Sequence, residues 1–160
     1  MTTLFDKVIQ SVDASISMLA SMDSWNPLMS FTLEQVDGSL LSASKKYGMK
    51  LAIEEIISNI IRANSDAVAS NQNSFLEISI LSLMPDDPSL LIQIKDNGLP
   101  FDPHFEALDE QVIDSPLHER PIGGLGLLLV KKSVDSIAYR YQDSCNIYRL
   151  FSSEILQPEP

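Results

Sequence analysis

The sequence predicts an α+β fold, a two-layer α/β sandwich in which a mixed, mostly antiparallel sheet is covered by helices on one face. Segments with strand periodicity follow one another in the middle and at the end of the chain, which is typical of hairpins. Between them, the segment 44–64 spaces its apolar residues by three and four, so that it presents one broad apolar face to a sheet. Segregated strands and helices of this kind favour a sheet with a helical layer over alternating βαβ units.

Length, composition and charge restrict the class of protein. The 160 residues are 44% hydrophobic, enough for a single domain, 1–153, followed by an acidic tail, 154–160. A net charge of −11 repels nucleic acids and anionic membranes, so neither is expected as a partner. One cysteine and two histidines exclude a disulfide framework and a closed zinc site. With no basic leader and no apolar run of roughly 18 residues, we expect a soluble, cytoplasmic protein.

The first strand and the first helix are predicted close to the start of the chain. Apolar residues alternate with Ser and Asp over 12–20, which indicates a half-buried strand. Asp23 or Ser24 is suited to cap the helix that follows, because short polar side chains accept hydrogen bonds from free amides. Pro27 then falls in the first turn, where its missing N–H costs little, and the helix is expected to end at Gly38.

The segment 44–64 predicts the longest helix and carries a polar stripe beside its apolar face. Glu55, Asn59, Arg62 and Asp66 lie at i, i+4, i+7 and i+11, which places them on one side of the helix. A solvated helix face would give the same spacing, so the stripe alone leaves its role open. An amide among isoleucines is less easily explained in this way, because Asn59 needs polar partners once it is buried.

Two further strands are expected on either side of the proline-rich break 84–88. Residues 76–80 and 90–96 both alternate between apolar and polar side chains, which predicts an antiparallel hairpin. Because side chains alternate across a strand, Asp96 shares the apolar face of its strand. A carboxylate is therefore expected to point toward the core layer, although Asp-Asn-Gly by itself is also a common turn sequence.

The second half of the chain contains a long irregular segment. Four prolines and four glycines lie in 96–126, a loop too long for a compact domain unless it has a function. A short helix, 127–134, and two strands, 137–142 and 147–151, complete the order βααββ, loop, αββ. The glycines follow a loop rather than a strand, and neither G-x-G-x-x-G nor G-x-x-x-x-G-K-[ST] occurs, which argues against Rossmann and P-loop sites.

Three motifs in this order resemble a known family. They are Glu55-x-x-x-Asn59, the run DNGLPFDP from Asp96, and the run RPIGGLGL from Arg120. In order and spacing they resemble the N, G1 and G2 boxes of the Bergerat-fold ATPases, which include gyrase, heat-shock chaperone, histidine-kinase and mismatch-repair ATP sites. Over about 12–152, LAIEEIISNII, DNGLPFDP, RPIGGLGLLLVKKSVD and a closing strand from Asn146 look like the anti-sigma-factor serine kinases.

The resemblance implies ATP and Mg²⁺ as cofactors and assigns roles to residues. It places Mg²⁺ on Asn59, the adenine amino group on Asp96, and the general base at Glu55. It assigns the nucleotide to residues from all three motifs, namely Asn59, Asp96, Gly98, Gly123, Gly124, Leu125 and Gly126. Without the resemblance, the glycines of this run could equally cap the loop.

General chemistry is compatible with these roles. Mg²⁺ takes one or two protein oxygens and keeps water and phosphate as its other ligands. A fixed carboxylate accepts a hydrogen bond from adenine N6 but opposes guanine O6. Backbone amides of a glycine-rich loop before a helix bind phosphate without a lysine.

The family function implied is that of an anti-sigma regulatory factor with serine-protein kinase activity. Such a protein binds a sigma factor and transfers the ATP γ-phosphoryl to a serine of an anti-anti-sigma (STAS-type) partner, and a homodimer is plausible by the same resemblance. The alternative is a nucleotide-gated protein-binding module without phosphoryl transfer. A histidine-kinase catalytic domain would need a phosphoacceptor histidine on a long helix, and neither His104 nor His118 lies on one.

Overall fold

A computed structural model describes residues 3–66, 74–84, 87–108 and 125–154. Within these ranges the predicted order of strands and helices is confirmed, with boundaries within a few residues of those expected. The elements are β1 Ser11–Leu19, α1 Trp25–Asp37, α2 Ala43–Asp66, β2 Phe75–Ser82, β3 Ser89–Asp96, α3 Leu125–Ser133, β4 Ser136–Gln142 and β5 Cys145–Ser153. The α+β class predicted from the sequence is therefore confirmed.

The five strands form one sheet in the order β1-β2-β3-β5-β4. Every described pairing is antiparallel, so the sheet has no parallel pair where a mixed sheet was expected. The reason is that the last hairpin inserts β5, rather than β4, beside β3. Asp143 and Ser144 make its turn with positive φ values of 53° and 61°, the conformation that two-residue hairpins favour.

The core lies between α2 and the inner face of the sheet. Isoleucines at helical spacing on α2 pack over alternate residues of β2, β3 and β5, as the periodicity predicted. Each fully buried side chain of this type contributes roughly 1.5–3 kcal/mol to stability. The central members are Met49, Ile53, Ile56, Ile57, Leu76, Ile78, Ile92, Ile94 and Leu150, all 2% exposed or less.

The first helix begins and ends close to the predicted residues. Ser24 occupies the N-cap position, but its side chain makes no capping hydrogen bond, so this part of the prediction is wrong. Pro27 lies in the first turn and Gly38 is the C-cap residue, as expected. The start of α1 is continuous with a short 3-10 turn, Met22–Ser24, which leads the chain into the helix without a side-chain cap.

Gly48 sets the distance between α2 and α3. A Cβ atom at this position would lie 2.1 Å from the carbonyl oxygen of Ser133, far inside a normal contact, so only glycine allows this approach. Because Ser133 is the last residue of α3, the contact fixes the C-terminal end of that helix on α2. The other end of α3 then faces the C-terminal half of α2.

Both ends of the described chain are attached to the sheet. Near the start, the guanidinium groups of Arg140 and Arg149 both lie over the Phe5 ring, 4.3 Å and 4.9 Å from its centroid. At the other end, the Ser42 amide donates to the Glu154 carboxylate at 2.7 Å, which lowers the pKa of Glu154. Glu154, which the sequence placed in the tail, is thus fixed to the fold, while the remainder of the predicted tail, 155–160, lies outside the described residues. None of the described helices is both long and apolar enough to cross a membrane.

Candidate functional site

A cavity of about 730 Å³ opens between α2, the end of β3 and the start of α3. The predicted site residues that lie within the described ranges all line it. They are Glu55, Asn59, Asp96, Gly98, Leu125 and Gly126. The structure thus brings together residues from all three sequence motifs. Gly123 and Gly124, to which the resemblance assigned phosphate contacts, lie outside the described residues.

Asp96 ends β3 on its inner face and is 3% exposed, as strand parity predicted. Its Oδ1 atom accepts hydrogen bonds from the Gly98 amide at 2.9 Å and from the Asn146 side chain at 3.1 Å. Its Oδ2 atom is buried and has no partner in the described part of the protein. A buried acceptor without a donor costs free energy, so this atom marks a position where a ligand's donor would be stabilising.

Burial raises the pKa of the Asp96 carboxyl, while the hydrogen bonds from Gly98 and Asn146 act in the opposite direction. Burial acts in this way because it disfavours the charged form, whereas a donor to the carboxylate favours it. The two donors therefore counteract part of the desolvation that the cavity imposes on Asp96.

Gly98 lets the loop after β3 close over the carboxylate. A Cβ atom here would lie 2.9 Å from Asp96 Oδ1 and 3.3 Å from Asn64 Oδ1. Because 2.9 Å is shorter than a normal Cβ contact, either the loop or the Asp96 carboxylate would have to move. The glycine in the Asp-Asn-Gly motif is thus explained by the close approach of its backbone to two polar side chains.

Asn146 is a site residue that the sequence reasoning did not single out. It lies opposite Asp96 in the β3–β5 pairing, is 2% exposed, and lines the cavity floor together with Tyr148. The sequence showed Asn146 only as the start of a strand motif. Its position beside Asp96 depends on β5 inserting next to β3, which no local pattern indicates.

On the α2 side, Glu55, Asn59 and Arg62 of the predicted polar stripe line the cavity, whereas the side chain of Asp66 lies outside the described part of the chain. Arg62 approaches the side chains of Asn59 and Ser58 at 3.4 Å and 3.5 Å, which are long hydrogen bonds. Among the described residues that line the cavity, Arg62 supplies the one positive charge. These three residues are therefore part of the cavity wall rather than of a solvated face alone.

Glu55 lies against the first turn of α3. A Cβ atom on Gly126 would be 2.5 Å from Glu55 Oε2, so the two residues are in close contact. The amides of the first helical turn have no partner inside the helix and carry a partial positive charge. This end of the cavity therefore combines a carboxylate, an amide oxygen on Asn59, a guanidinium and a helix N-terminus.

The described residues contain no cluster of three or more His, Cys, Asp or Glu side chains that could hold a metal ion. A magnesium ion that arrives with a nucleotide does not need such a cluster, because phosphate and water supply most of its ligands. The hard oxygen atoms of Glu55 and Asn59, one helical turn apart on α2, are compatible with that smaller contribution.

Comparison with known families identifies the class of domain to which this α+β fold and its cavity belong. A sequence model of the histidine kinase-like ATPase domain matches residues 20–151. The chain belongs to this family of ATPase domains. The match begins directly after β1, includes every described element from α1 to β4, and ends two residues before the end of β5. No curated protein matches the chain.

Proposed function

We propose that the protein binds ATP with Mg²⁺ in this cavity and acts as an anti-sigma regulatory factor with serine-protein kinase activity. In this proposal the γ-phosphoryl group is transferred to a serine of a STAS-type anti-anti-sigma partner, and a sigma factor is the regulated target. The unpartnered Oδ2 atom of Asp96 is the observation that carries the nucleotide part. The resemblance of the three motifs to anti-sigma serine kinases supports the partner and the reaction.

Adenine suits the buried end of the cavity, which is the end formed by Asp96 and Asn146. Its N6 amino group donates a hydrogen bond, which Asp96 Oδ2 lacks, whereas guanine presents an O6 acceptor at that position. A hydrogen bond to a charged group contributes about 1.5–3 kcal/mol, equivalent to roughly 10- to 150-fold in affinity. The carboxylate therefore selects the base.

The phosphates suit the open end of the cavity, where Glu55, Asn59 and Arg62 of α2 lie near the start of α3. The amides of Leu125 and Gly126 begin α3, and helix N-termini bind phosphate through free amides and the helix dipole. Arg62 adds a positive charge to the cavity wall. Asn59 would contribute one oxygen to Mg²⁺, which neutralises charge on the phosphates when bound.

Glu55 is the proposed general base. Its carboxylate lies one helical turn from Asn59 and in contact with the start of α3, so it faces the position proposed for the phosphates. Glu55 would orient the serine hydroxyl of the partner and accept its proton as the serine oxygen bonds to the γ-phosphorus. The bond between that phosphorus and the bridging oxygen breaks, and ADP leaves.

Phosphoryl transfer to a partner tests the proposal directly. The full chain is incubated with Mg²⁺, ATP labelled in the γ position, and a STAS-domain protein from the same genome, with the partner's serine changed to alanine as control. We expect label on the wild-type partner and none on the control. Nucleotide-dependent binding of the partner without label would favour the nucleotide-gated module instead, and absence of ATP binding would contradict the whole proposal.

A further inference from the structure

The four hydrogen bonds of Asn146 connect the cavity floor to two strands and a loop. Nδ2 donates to Asp96 Oδ1 at 3.1 Å and to the Leu99 carbonyl at 2.9 Å. Oδ1 accepts from the Phe101 amide at 3.0 Å and from the Tyr139 hydroxyl at 2.6 Å. Both N–H donors and both acceptor lone pairs of this buried amide are thus occupied.

These partners allow only one orientation of the Asn146 amide. A backbone carbonyl such as that of Leu99 can only accept, and a backbone N–H such as that of Phe101 can only donate. A flipped amide would place like groups against both of them. The NH₂ group must therefore face Asp96.

This orientation decides where Asp96 can carry a proton. Oδ1 receives two donors, from Gly98 and Asn146, so a proton on that atom would clash with both. Any proton must lie on Oδ2, the atom that faces the cavity without a partner. Asp96 therefore presents an acceptor to a ligand when ionised and a donor when protonated.

We propose that Asn146, held in place by the Tyr139 hydroxyl, is a positioning residue that sets base selectivity by keeping Asp96 Oδ2 an acceptor. The inference rests on the proposed function, because it concerns how the same cavity distinguishes purine bases. A 6-amino purine needs an acceptor at Oδ2, whereas a 6-oxo purine needs a donor. Selectivity thus depends on the protonation state of one buried carboxyl.

The surroundings of Asp96 show why a positioning residue is needed. Tyr139 of β4 and Tyr148 of β5 interact electrostatically with each other, with Asp96 and with Asp102 of the loop after β3. On α2, Glu55 and Arg62 line the same cavity. Burial raises the pKa of Asp96. The hydrogen bond from the Asn146 side chain opposes that rise.

The direction of the pH effect follows from the loss of this hydrogen bond. Without the Asn146 NH₂ group the pKa of Asp96 moves further upward, because a bond to the charged form is removed. Binding of a 6-amino purine requires the carboxylate and is lost as pH falls through that pKa. In a variant without the NH₂ group, this loss therefore occurs at a higher pH than in the wild type.

The test measures affinities of the full chain for ADP and inosine diphosphate by calorimetry between pH 5 and pH 8. Asn146→Asp keeps an oxygen for Phe101 and Tyr139 but places an acceptor against Asp96. We expect its preference for ADP at pH 7 to fall at least about tenfold, the value of one hydrogen bond, and its pH midpoint to rise. Tyr139→Phe should lower the preference about two- to fivefold, and Tyr141→Phe on the same strand should leave it unchanged.

A folded Asn146→Asp variant with wild-type selectivity and pH midpoint would overturn the inference. If that variant does not fold, the comparison of Tyr139→Phe with Tyr141→Phe decides, and equal selectivity in the two would overturn it. Wild-type protein that binds ADP while the variants behave like wild type refutes only the role of Asn146. Wild-type protein that binds neither nucleotide refutes the proposed function and this inference together.

Discussion

The two ends of the cavity differ in how firmly their polar groups are held. At the buried end, Asp96 and Asn146 are 3% and 2% exposed. They are hydrogen-bonded to each other at 3.1 Å, and they accept hydrogen bonds from the Gly98 amide at 2.9 Å and the Tyr139 hydroxyl at 2.6 Å, respectively. At the open end, Arg62 is exposed and approaches Asn59 at 3.4 Å. The buried end is fixed by neighbouring strands, whereas the open end consists of side chains projecting from a helix.

In terms of the proposed function, this difference assigns recognition and chemistry to different layers of the fold. The sheet holds a rigid carboxylate, as base selection requires, because a misplaced acceptor would lose its discrimination. Helix α2 presents exposed side chains, which in the proposed reaction adjust to the phosphates and to the partner's hydroxyl. Substitutions at the buried end should therefore change nucleotide affinity, and substitution of the proposed base Glu55 at the open end should change transfer.

The largest expected effect is at Glu55. Glu55→Gln should lower phosphoryl transfer roughly 10²- to 10⁴-fold, the usual contribution of a positioned base, and leave nucleotide affinity almost unchanged. Glu54→Gln is the matched control, because Glu54 is exposed on the adjacent helix position. Single-turnover rates and calorimetry measure the two quantities separately. A wild-type rate of transfer in Glu55→Gln would show that Glu55 is not the general base.

A smaller loss of transfer is expected for Gly126→Ala. The added Cβ would lie 2.5 Å from Glu55 Oε2, and the carboxylate, being the end of a flexible side chain, can move away. A displacement of about 1 Å lowers catalysis by as much as about a hundredfold, so transfer should fall about ten- to a hundredfold. An unchanged transfer rate would show that the contact between Glu55 and α3 has no role in the reaction.

Gly98→Ala should lower nucleotide affinity rather than the rate of transfer. Its Cβ would lie 2.9 Å from Asp96 Oδ1, in a buried network that cannot easily move. We expect affinity for ADP to fall about tenfold, the value of one lost hydrogen bond, with the transfer rate at saturating ATP nearly unchanged. If Gly98→Ala slows saturated transfer as strongly as Gly126→Ala does, the separation between the two ends is wrong.

The smallest expected effect is on the protection of backbone amides from hydrogen exchange. The amides of Gly98 and Phe101 donate to Asp96 and Asn146, so they should resist hydrogen exchange before nucleotide is added. The amides of Leu125 and Gly126 lie in the first turn of α3, where no intrahelical acceptor is available. They should gain protection only when Mg-ADP is present. Equal changes in amide protection at both ends would contradict the view that the adenine-binding end is formed before the nucleotide binds.

The sequence predicts most of the fold because its signals are local. The apolar spacing of α2, the parity that turns Asp96 inward and the turns between strands are all properties of short segments. The fully antiparallel sheet was not predicted, because the position of β5 beside β3 depends on pairing across an intervening strand. Local patterns do not encode which neighbour an inserted strand selects.

The same distinction applies to the candidate site. Spacing placed Glu55 and Asn59 on one helix face and strand parity placed Asp96 toward the core, and the resemblance to the three Bergerat-fold motifs then suggested their roles. Asn146 could not be found in this way, because its importance arises from its register against Asp96. The contact between Glu55 and Gly126 likewise depends on how α3 packs on α2, which Gly48 controls from the far end of the helix.

The central claim is that Asp96 Oδ2 accepts a hydrogen bond from adenine, and calorimetry with Mg-ADP and Mg-GDP tests it most directly. We expect wild-type protein to bind ADP at least about tenfold more tightly than GDP, as one hydrogen bond to a charged group implies. In Asp96→Asn the oxygen should remain toward Gly98 and Asn146, which leaves an NH₂ group facing the cavity, so the preference for ADP should disappear. Equal affinity of the wild-type protein for ADP and GDP, or a preference that survives in Asp96→Asn, would contradict the account.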